Sequence, residues 1–270
     1  RQMCIRDRTF AMNCQFFVVS KNRPKCVTTK LLNKAGIPYK IVVEEDDVED
    51  YIAAGHDSKK IVVLPDSNRG YSYVVNFCKN SFLKPGRPVV VLDDDIQQVF
   101  YSIPGERKCS LQLNTPEELR TFFEEFDDEI MRTDFEYGTI GKSAFDWSCI
   151  DVSPRFTYGG IPHVVIFKSL RTLELDFDER LELKCDIDYS LKCMYLGIKY
   201  AKFVRFLILS RMNKEAKQAG GLQKVYKDKE RILRAHKIML DRWPLNVKID
   251  AKKKPINGVL ELRIIYKVFD

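Results

Sequence analysis

The sequence predicts an α/β fold with a doubly wound, mostly parallel sheet, and three observations carry that prediction. Strand and helix patterns alternate four times within the first ninety or so residues. Their connections are short and hold stop signals such as Gly36, Pro38, Gly55 and Pro85-Gly86. The fourth strand pattern, residues 89–92, is an unbroken apolar run, which suits a strand covered on both faces. A chain that alternates in this way lays helices over parallel strands and binds ligands at the carboxyl edge of its sheet.

Taken in order, residues 15–20 are a short apolar strand followed by Lys-Asn-Arg-Pro. Residues 28–35 read as a helix closed by Gly36 and Pro38. Residues 39–44 are a second strand, 46–54 an acidic helix ending at Gly55, and 60–64 a third strand. The loop 65–70 opens a helix over 71–83, which Pro85-Gly86 stops ahead of the fourth strand. The rhythm then changes. Thr115-Pro116-Glu117-Glu118 is a capping box with proline at the first helical position, so an acidic helix runs to about Arg132. Residues 138–162 lack a clear period and read as irregular chain or short strands. A strand follows at 164–167, a helix at 188–195 stopped by Gly197, and a strand at 199–209. Residues 226–242 form a basic amphipathic helix ended by Trp243-Pro244, and a last strand is expected over 259–268.

The fourth strand ends in Asp93, Asp94 and Asp95. Unpaired charge is costly to bury, so the three carboxylates are expected to leave the core at the strand's C-terminal end. If the chain stays extended, Asp93 and Asp95 point to one face and Asp94 to the other. Such an Asp-x-Asp pair can hold Mg²⁺ or Mn²⁺, which in turn neutralises a diphosphate. The same residues read equally well as a solvated acidic turn after a core strand.

At 270 residues the chain can bury a large core, as one sizeable domain or two small ones. Its 45% hydrophobic and 31% charged residues describe a soluble globular protein, and no stretch approaches the ~20 apolar residues of a membrane helix. The first eight residues lack the apolar core of a signal peptide. Eight cysteines are scattered without a Cys-x-x-Cys pair, which favours free thiols in a reducing cytoplasm over a disulfide framework or a zinc site. The three histidines, 56, 163 and 236, are isolated and read as structural or solvated rather than catalytic. The net charge of +7 is unevenly spread: residues 211–254 hold fourteen Lys or Arg against five acids, whereas 117–136 hold nine acids against two bases. That polarity suits a C-terminal part that meets a polyanion, or else a solvated helix and tail.

Several segments share an order and spacing that none has alone. They are Val18-Val19-Ser20-Lys21-Asn22-Arg23-Pro24, residues 39–44, Val63-Leu64-Pro65-Asp66-Ser67-Asn68-Arg69-Gly70, residues 91–96, and Cys185-Asp186-Ile187-Asp188. A first strand ending Ser-x-x-Arg, an Asn-x-Gly loop with Asn76 six residues after the glycine, an Asp-rich strand end and a later Asp pair resemble GT-A glycosyltransferases. Over roughly residues 16–225 the wording is closer still to the TET/JBP-associated glycosyltransferases of phages and their relatives.

The resemblance implies a single GT-A-like domain over 10–270, with a nucleotide-sugar-binding half at 10–110, an acceptor half at 111–210 and a basic C-terminal helix and strand at 211–270. It implies transfer from a UDP-sugar such as UDP-glucose to 5-hydroxymethylcytosine or 5-hydroxymethyluracil in double-stranded DNA. The base would be flipped out of the duplex. The setting would be the cytoplasm of a phage-infected bacterium, with no membrane partner. Position by position, Ser20, Arg23, Asn68, Arg69 and Gly70 would bind the nucleotide sugar together with Asp93 and Asp94. Asp93 and Asp95 would hold Mn²⁺ or Mg²⁺. Asp186 stands where inverting members keep their general base, with Asp188 beside it as a second catalytic candidate. Lys224, Lys227, Lys252, Lys253 and Lys254 would meet DNA phosphates.

Each role has a competitor. Ser20 can cap a turn, Arg23 can pair with the acidic helix, and Asp186 can be the N-cap of a helix starting at Asp188. Two departures weigh on the carry-over. Val75 precedes Asn76 where many relatives place an Arg, so Arg69 either supplies that diphosphate contact or the contact is missing. Cys185 replaces the Glu of the family's Glu-Asp pair, which removes one carboxylate. The rival functions are a GT-A enzyme with a protein or saccharide acceptor, a nucleotidyltransferase, and a non-catalytic nucleic-acid-binding module.

Overall fold

The computed structural model describes residues 12–103, 110–142, 153–160, 163–210, 225, 227–253, 255 and 257–268. Lys224, Lys254 and nearly all of the basic stretch 211–226 lie outside the described residues. The first half alternates as its pattern predicts: β1 (Gln15–Val19), α1 (Val27–Ala35), β2 (Tyr39–Val43), α2 (Val48–Ala53), β3 (Ile61–Val63), α3 (Tyr71–Phe82) and β4 (Val89–Asp93). The second half holds β5 (Ile96–Ser102), β6 (Ser110–Gln112), α4 (Pro116–Arg132), β7 (Tyr137–Lys142), β8 (Val164–Phe167), α5 (Cys185–Tyr195) and β9 (Tyr200–Ser210). It closes with α6 (Lys229–Arg242) and the strands β10 (Val247–Ile249) and β11 (Leu262–Ile264).

The described residues build a nine-stranded sheet in the order β3-β2-β1-β4-β8-β7-β9-β5-β6. β1 to β4 are all parallel. Beyond them β8 runs antiparallel to both β4 and β7, while β7 and β9 are again parallel. The apolar run in β4 explains its central place. Val89 and Val91 join Phe17 and Val19 under α3, α5 and α6, whereas Val90 and Leu92 join Phe16 and Val18 under α1 and α4. A strand with both faces in cores needs no polar alternation. The Thr115 capping box is formed in both directions, and Gly36 closes α1 at φ +69°.

Where the sequence and the structure part, local contacts decide. The acidic helix expected over 46–54 opens as a 3₁₀ turn, Glu45–Asp47, because the Asp47 carboxylate turns back to accept the Asn22 N–H at 2.9 Å. β5 and β6 are not signalled, since Gln97 and Gln98 interrupt the alternation of β5. The last strand shrinks to Leu262–Ile264 and pairs only with β10, in a separate antiparallel ribbon. α5 starts at Cys185, three residues before the expected start. The described cysteines are free thiols. Burial pushes Cys26, Cys185 and Cys193 each up to about 12, so they stay protonated and serve as core. No described helix is long and apolar enough to cross a membrane.

Gly138 of β7 lies against β9, where a Cβ would collide with the Ala201 carbonyl oxygen and lie 3.1 Å from the Phe135 ring. Gly138→Ala is therefore expected to cost about 1–3 kcal/mol as overpacking. A lower urea midpoint at unchanged slope would show it; an unshifted midpoint would mean the strands separate freely.

Candidate active site

The carboxyl ends of the parallel strands gather the motif residues. Val19 pairs with both Val42 and Asp93, so Ser20, the end of β2 and the acidic triplet share one edge. From the other side Leu92 pairs with Val164, which brings His163 across from Asp93, and the Asp93 N–H donates to the His163 carbonyl at 2.9 Å. His163 adopts φ +64°, a strained region for a residue with a side chain. Its Nδ1 lies 2.7 Å from Asp93 Oδ2 and 3.6 Å from Asp95 Oδ1, and its Nε2 2.9 Å from the Ser210 hydroxyl. One ligand atom from each of Asp93, Asp95 and His163 can be chosen with all three within 4.8 Å of one another. Asp95 Oδ1 is buried without a hydrogen-bond partner. Burial first, and then the Asp93 charge, raises the Asp95 carboxyl to about 6. An orphaned, desolvated carboxylate oxygen beside a second carboxylate and an imidazole is a donor set that fits Mn²⁺ or Mg²⁺.

The triplet does not leave the core as a unit. The chain turns after Asp93, and Asp94 is only 8% exposed. It accepts a hydrogen bond from the Ser20 hydroxyl at 2.6 Å and one from Arg23 Nη1 at 2.9 Å. The Tyr51 hydroxyl in turn donates to Ser20 at 2.6 Å. Burial lifts the Asp94 carboxyl above its ordinary range against the pull of these partners. Its carbonyl is taken by the Val27 and Thr28 N–H groups, donors that a helix N-terminus otherwise leaves unsatisfied. Thr28 Oγ1 donates to the Asp93 carbonyl and accepts from the Ile96 N–H. Asp94 thus fastens the acidic turn to Ser20, Arg23 and α1. The Arg23 guanidinium pairs with this aspartate, and its backbone N–H donates to the Tyr51 hydroxyl on α2 at 3.2 Å.

The loop after β3 is held by Lys21, whose Nζ donates to Glu44 at 2.7 Å and to Asn68 at 2.6 Å. The Asn68 N–H donates to the same Glu44 carboxylate. Asn68 and Gly70 both take positive φ, +62° and +87°, and Gly70 leads directly into α3. Arg69 is turned outward and paired with Asp66 and Glu179. Asn76 is buried and bonded to both backbone groups of Phe177, which ties α3 to the segment ahead of α5.

Asp186 is the second residue of α5 and not its cap; that place belongs to Lys184 at φ +66°. A Cβ on Gly160 would lie 3.2 Å from Asp186 Oδ2, so a side chain there would crowd the carboxylate. The Tyr71 phenol, raised chiefly by burial, also feels the charges of Asp93 and Asp186, so both acids lie on its side of the molecule. Asp188 faces the other way. It is 0% exposed and receives Arg242 at 2.7 Å, the Trp243 indole N–H at 2.9 Å and Lys192 at 2.8 Å. Lys227, Lys252 and Lys253 are exposed.

Residues 14–221 match the model of one protein family, the TET-associated glycosyltransferases. The chain belongs to that family. It is a glycosyltransferase, and the Asp93–Asp95–His163 cluster, the Ser20–Asp94–Arg23 network and Asp186 all fall inside the matched span. Among solved structures it is similar to a manganese complex of a Mycobacterium tuberculosis protein, at 13% identity and TM-score 0.39 over 72% of this chain and 89% of the other. A nucleotide-diphospho-sugar transferase, so named, from Desulfovibrio desulfuricans matches at 8% identity and TM-score 0.43, over 86% and 99% of the two chains. A CMP:2-keto-3-deoxy-manno-octonic acid synthetase complexed with CTP matches at 12% identity and TM-score 0.39, over 83% and 99%. No curated protein matches the chain.

His163 is the residue that sequence reasoning missed. It is a lone histidine before a four-residue strand, and only the antiparallel pairing of β8 with β4 carries it to the acidic turn.

Proposed function

We propose that this glycosyltransferase moves a sugar from a UDP-sugar to the hydroxyl of a hydroxymethylated pyrimidine in double-stranded DNA. Asp93, Asp95 and His163 would hold Mn²⁺ or Mg²⁺. The observation that carries the reading is the buried, unpartnered Asp95 Oδ1 beside Asp93 and His163, at the sheet edge where the family's motifs converge. A bound divalent ion would offset charge growing on the departing diphosphate; one unit-charge pair 4 Å apart is worth about 4 kcal/mol at an effective dielectric near 20.

The protein's own groups do the rest. Asp94 holds Arg23 and Ser20 in place and thereby shapes the donor site from behind, a positioning role in place of the direct contact expected for it. Asn68 and Gly70 let the loop approach the nucleotide. Arg69 lies at the rim and has to exchange Glu179 for a phosphate to reach the donor. Asp186 accepts the proton of the acceptor hydroxyl, and Asp188 anchors the C-terminal segment instead of sharing the catalysis. Residues 10–110 bind the donor and 111–210 face the acceptor. Lys227, Lys252 and Lys253 meet DNA phosphates, joined by Lys224 and Lys254.

The direct test is the mass of hydroxymethylated duplex DNA after incubation with UDP-sugars and Mn²⁺. One added sugar per modified base is expected. Hydrolysis of the donor with no gain on DNA would move the acceptor to a protein or saccharide. Asp95→Asn tests the metal set separately. It should weaken Mn²⁺ binding measured by calorimetry by at least the roughly 10–100-fold seen for groups that merely support metal ligands. Far-UV circular dichroism should not change. Equal Mn²⁺ affinity in variant and parent would remove Asp95 from the set.

A further inference from the structure

β10 and β11 lie beyond residue 221, where the family match ends, and form a two-stranded ribbon outside the main sheet. Val247 and Leu262 face inward and join the core, so by alternation the partners Lys248 and Arg263 face outward. The register sets these two cations directly opposite each other, and both are exposed. Cross-strand neighbours have Cβ atoms about 5 Å apart, and like charges there destabilise a ribbon. Neither has an acidic partner among the described residues. Lys252 and Lys253 extend the charge into the connecting turn; the nearby Asp250 is engaged by the Lys252 N–H at 3.1 Å. A ribbon that carries such a pair without compensation gains when an anion sits over both side chains.

The ribbon is also fastened to the acceptor side of the site. Glu261, next to β11, pairs with Lys184, two residues before Asp186, at 2.9 Å. Tyr266 is raised by burial and by the charge of Asp186, so its phenol lies near that carboxylate. Arg242 locks α6 to Asp188 on α5. An anion held on the ribbon is therefore held in fixed relation to Asp186.

We infer that the outer face of the β10–β11 ribbon, centred on the opposed pair Lys248 and Arg263, docks the phosphodiester backbone of the acceptor DNA. The inference rests on the DNA reading above. It adds Arg263 and Lys248, which lie outside the lysines that the sequence pattern selects. The phosphates of one strand are repeated anions at a spacing that two adjacent cations can bridge, and each one neutralised releases counterions.

The test uses the full chain, an unmodified labelled duplex and fluorescence anisotropy between about 50 and 200 mM salt. Lys248→Gln with Arg263→Gln should make the slope of log affinity against log salt shallower by about 1.8, at about 0.9 per phosphate contact. Lys248→Arg with Arg263→Lys should keep the parent slope. The melting temperature of the Gln pair should be unchanged or higher, because a repulsion has been removed. Should the Gln pair unfold, Lys252→Gln with Lys253→Gln in the exposed turn gives the same direction without touching the ribbon's pairing. An unaltered slope in both Gln variants, with the parent binding DNA, overturns the docking surface and leaves the DNA acceptor standing. A parent chain that binds no duplex overturns both.

Discussion

Asp186→Asn is expected to lower turnover by about two to four powers of ten, the usual worth of a positioned general base. The substitution keeps size and shape and removes only the proton acceptor. Its cost in stability should stay within about 1 kcal/mol, because Asp186 sits in the first turn of α5, where a negative charge gains only a modest helix-dipole interaction. The N-cap of α5 is Lys184, so no cap is lost. The paired measurement is the rate of sugar transfer with the melting temperature. Near-normal transfer would reject Asp186 as the base. A large fall in melting temperature with normal specific activity would make it part of the scaffold.

Much of residues 15–93 could be read from residues alone, since β1 to β4 and the helices between them are specified locally. Gly36 and Pro38 stop α1, and the apolar run of β4 can only be satisfied between two layers. The acidic triplet marked the carboxyl edge of the sheet for the same reason, as carboxylates seek the end of a core strand. Its inner arrangement was not legible. Asp94 is buried because Ser20, Arg23 and the first N–H groups of α1 compensate its charge, and none of these is its neighbour in sequence. His163 depends on a strand pairing that crosses seventy residues. The chain after β5 was harder for a related reason. β6, β10 and β11 have three residues each, β7 carries two glycines, and β8 and β9 take their positions from partners distant in the chain.

Asp188→Ala should be the most destabilising of these substitutions, at about 3–5 kcal/mol, because it takes a fully buried acceptor from two half-buried cations and an indole N–H at once. Arg242 would lose one of its two carboxylates, Trp243 its indole acceptor and Lys192 its partner four residues away. The remaining carboxylate, Asp178, is held well below its ordinary range, chiefly by Arg180 and then by Arg242. A depressed carboxyl contributes stability that is whole above the ordinary aspartate value of about 3.9 and is lost as pH falls below it. Acid should therefore weaken what is left of the latch, and the variant should release α6 and the β10–β11 ribbon at a higher pH than the parent. Limited proteolysis followed by mass spectrometry, run beside urea unfolding across pH 3 to 7, reads both effects. Cleavage after α5 in the variant, ahead of any loss of the main sheet, would show that Asp188 holds the C-terminal segment. Asp188→Asn keeps an oxygen for Trp243 and should fall between parent and alanine. Parent-like stability in both variants would break the assignment of Asp188 as an anchor and return it to the catalytic candidates.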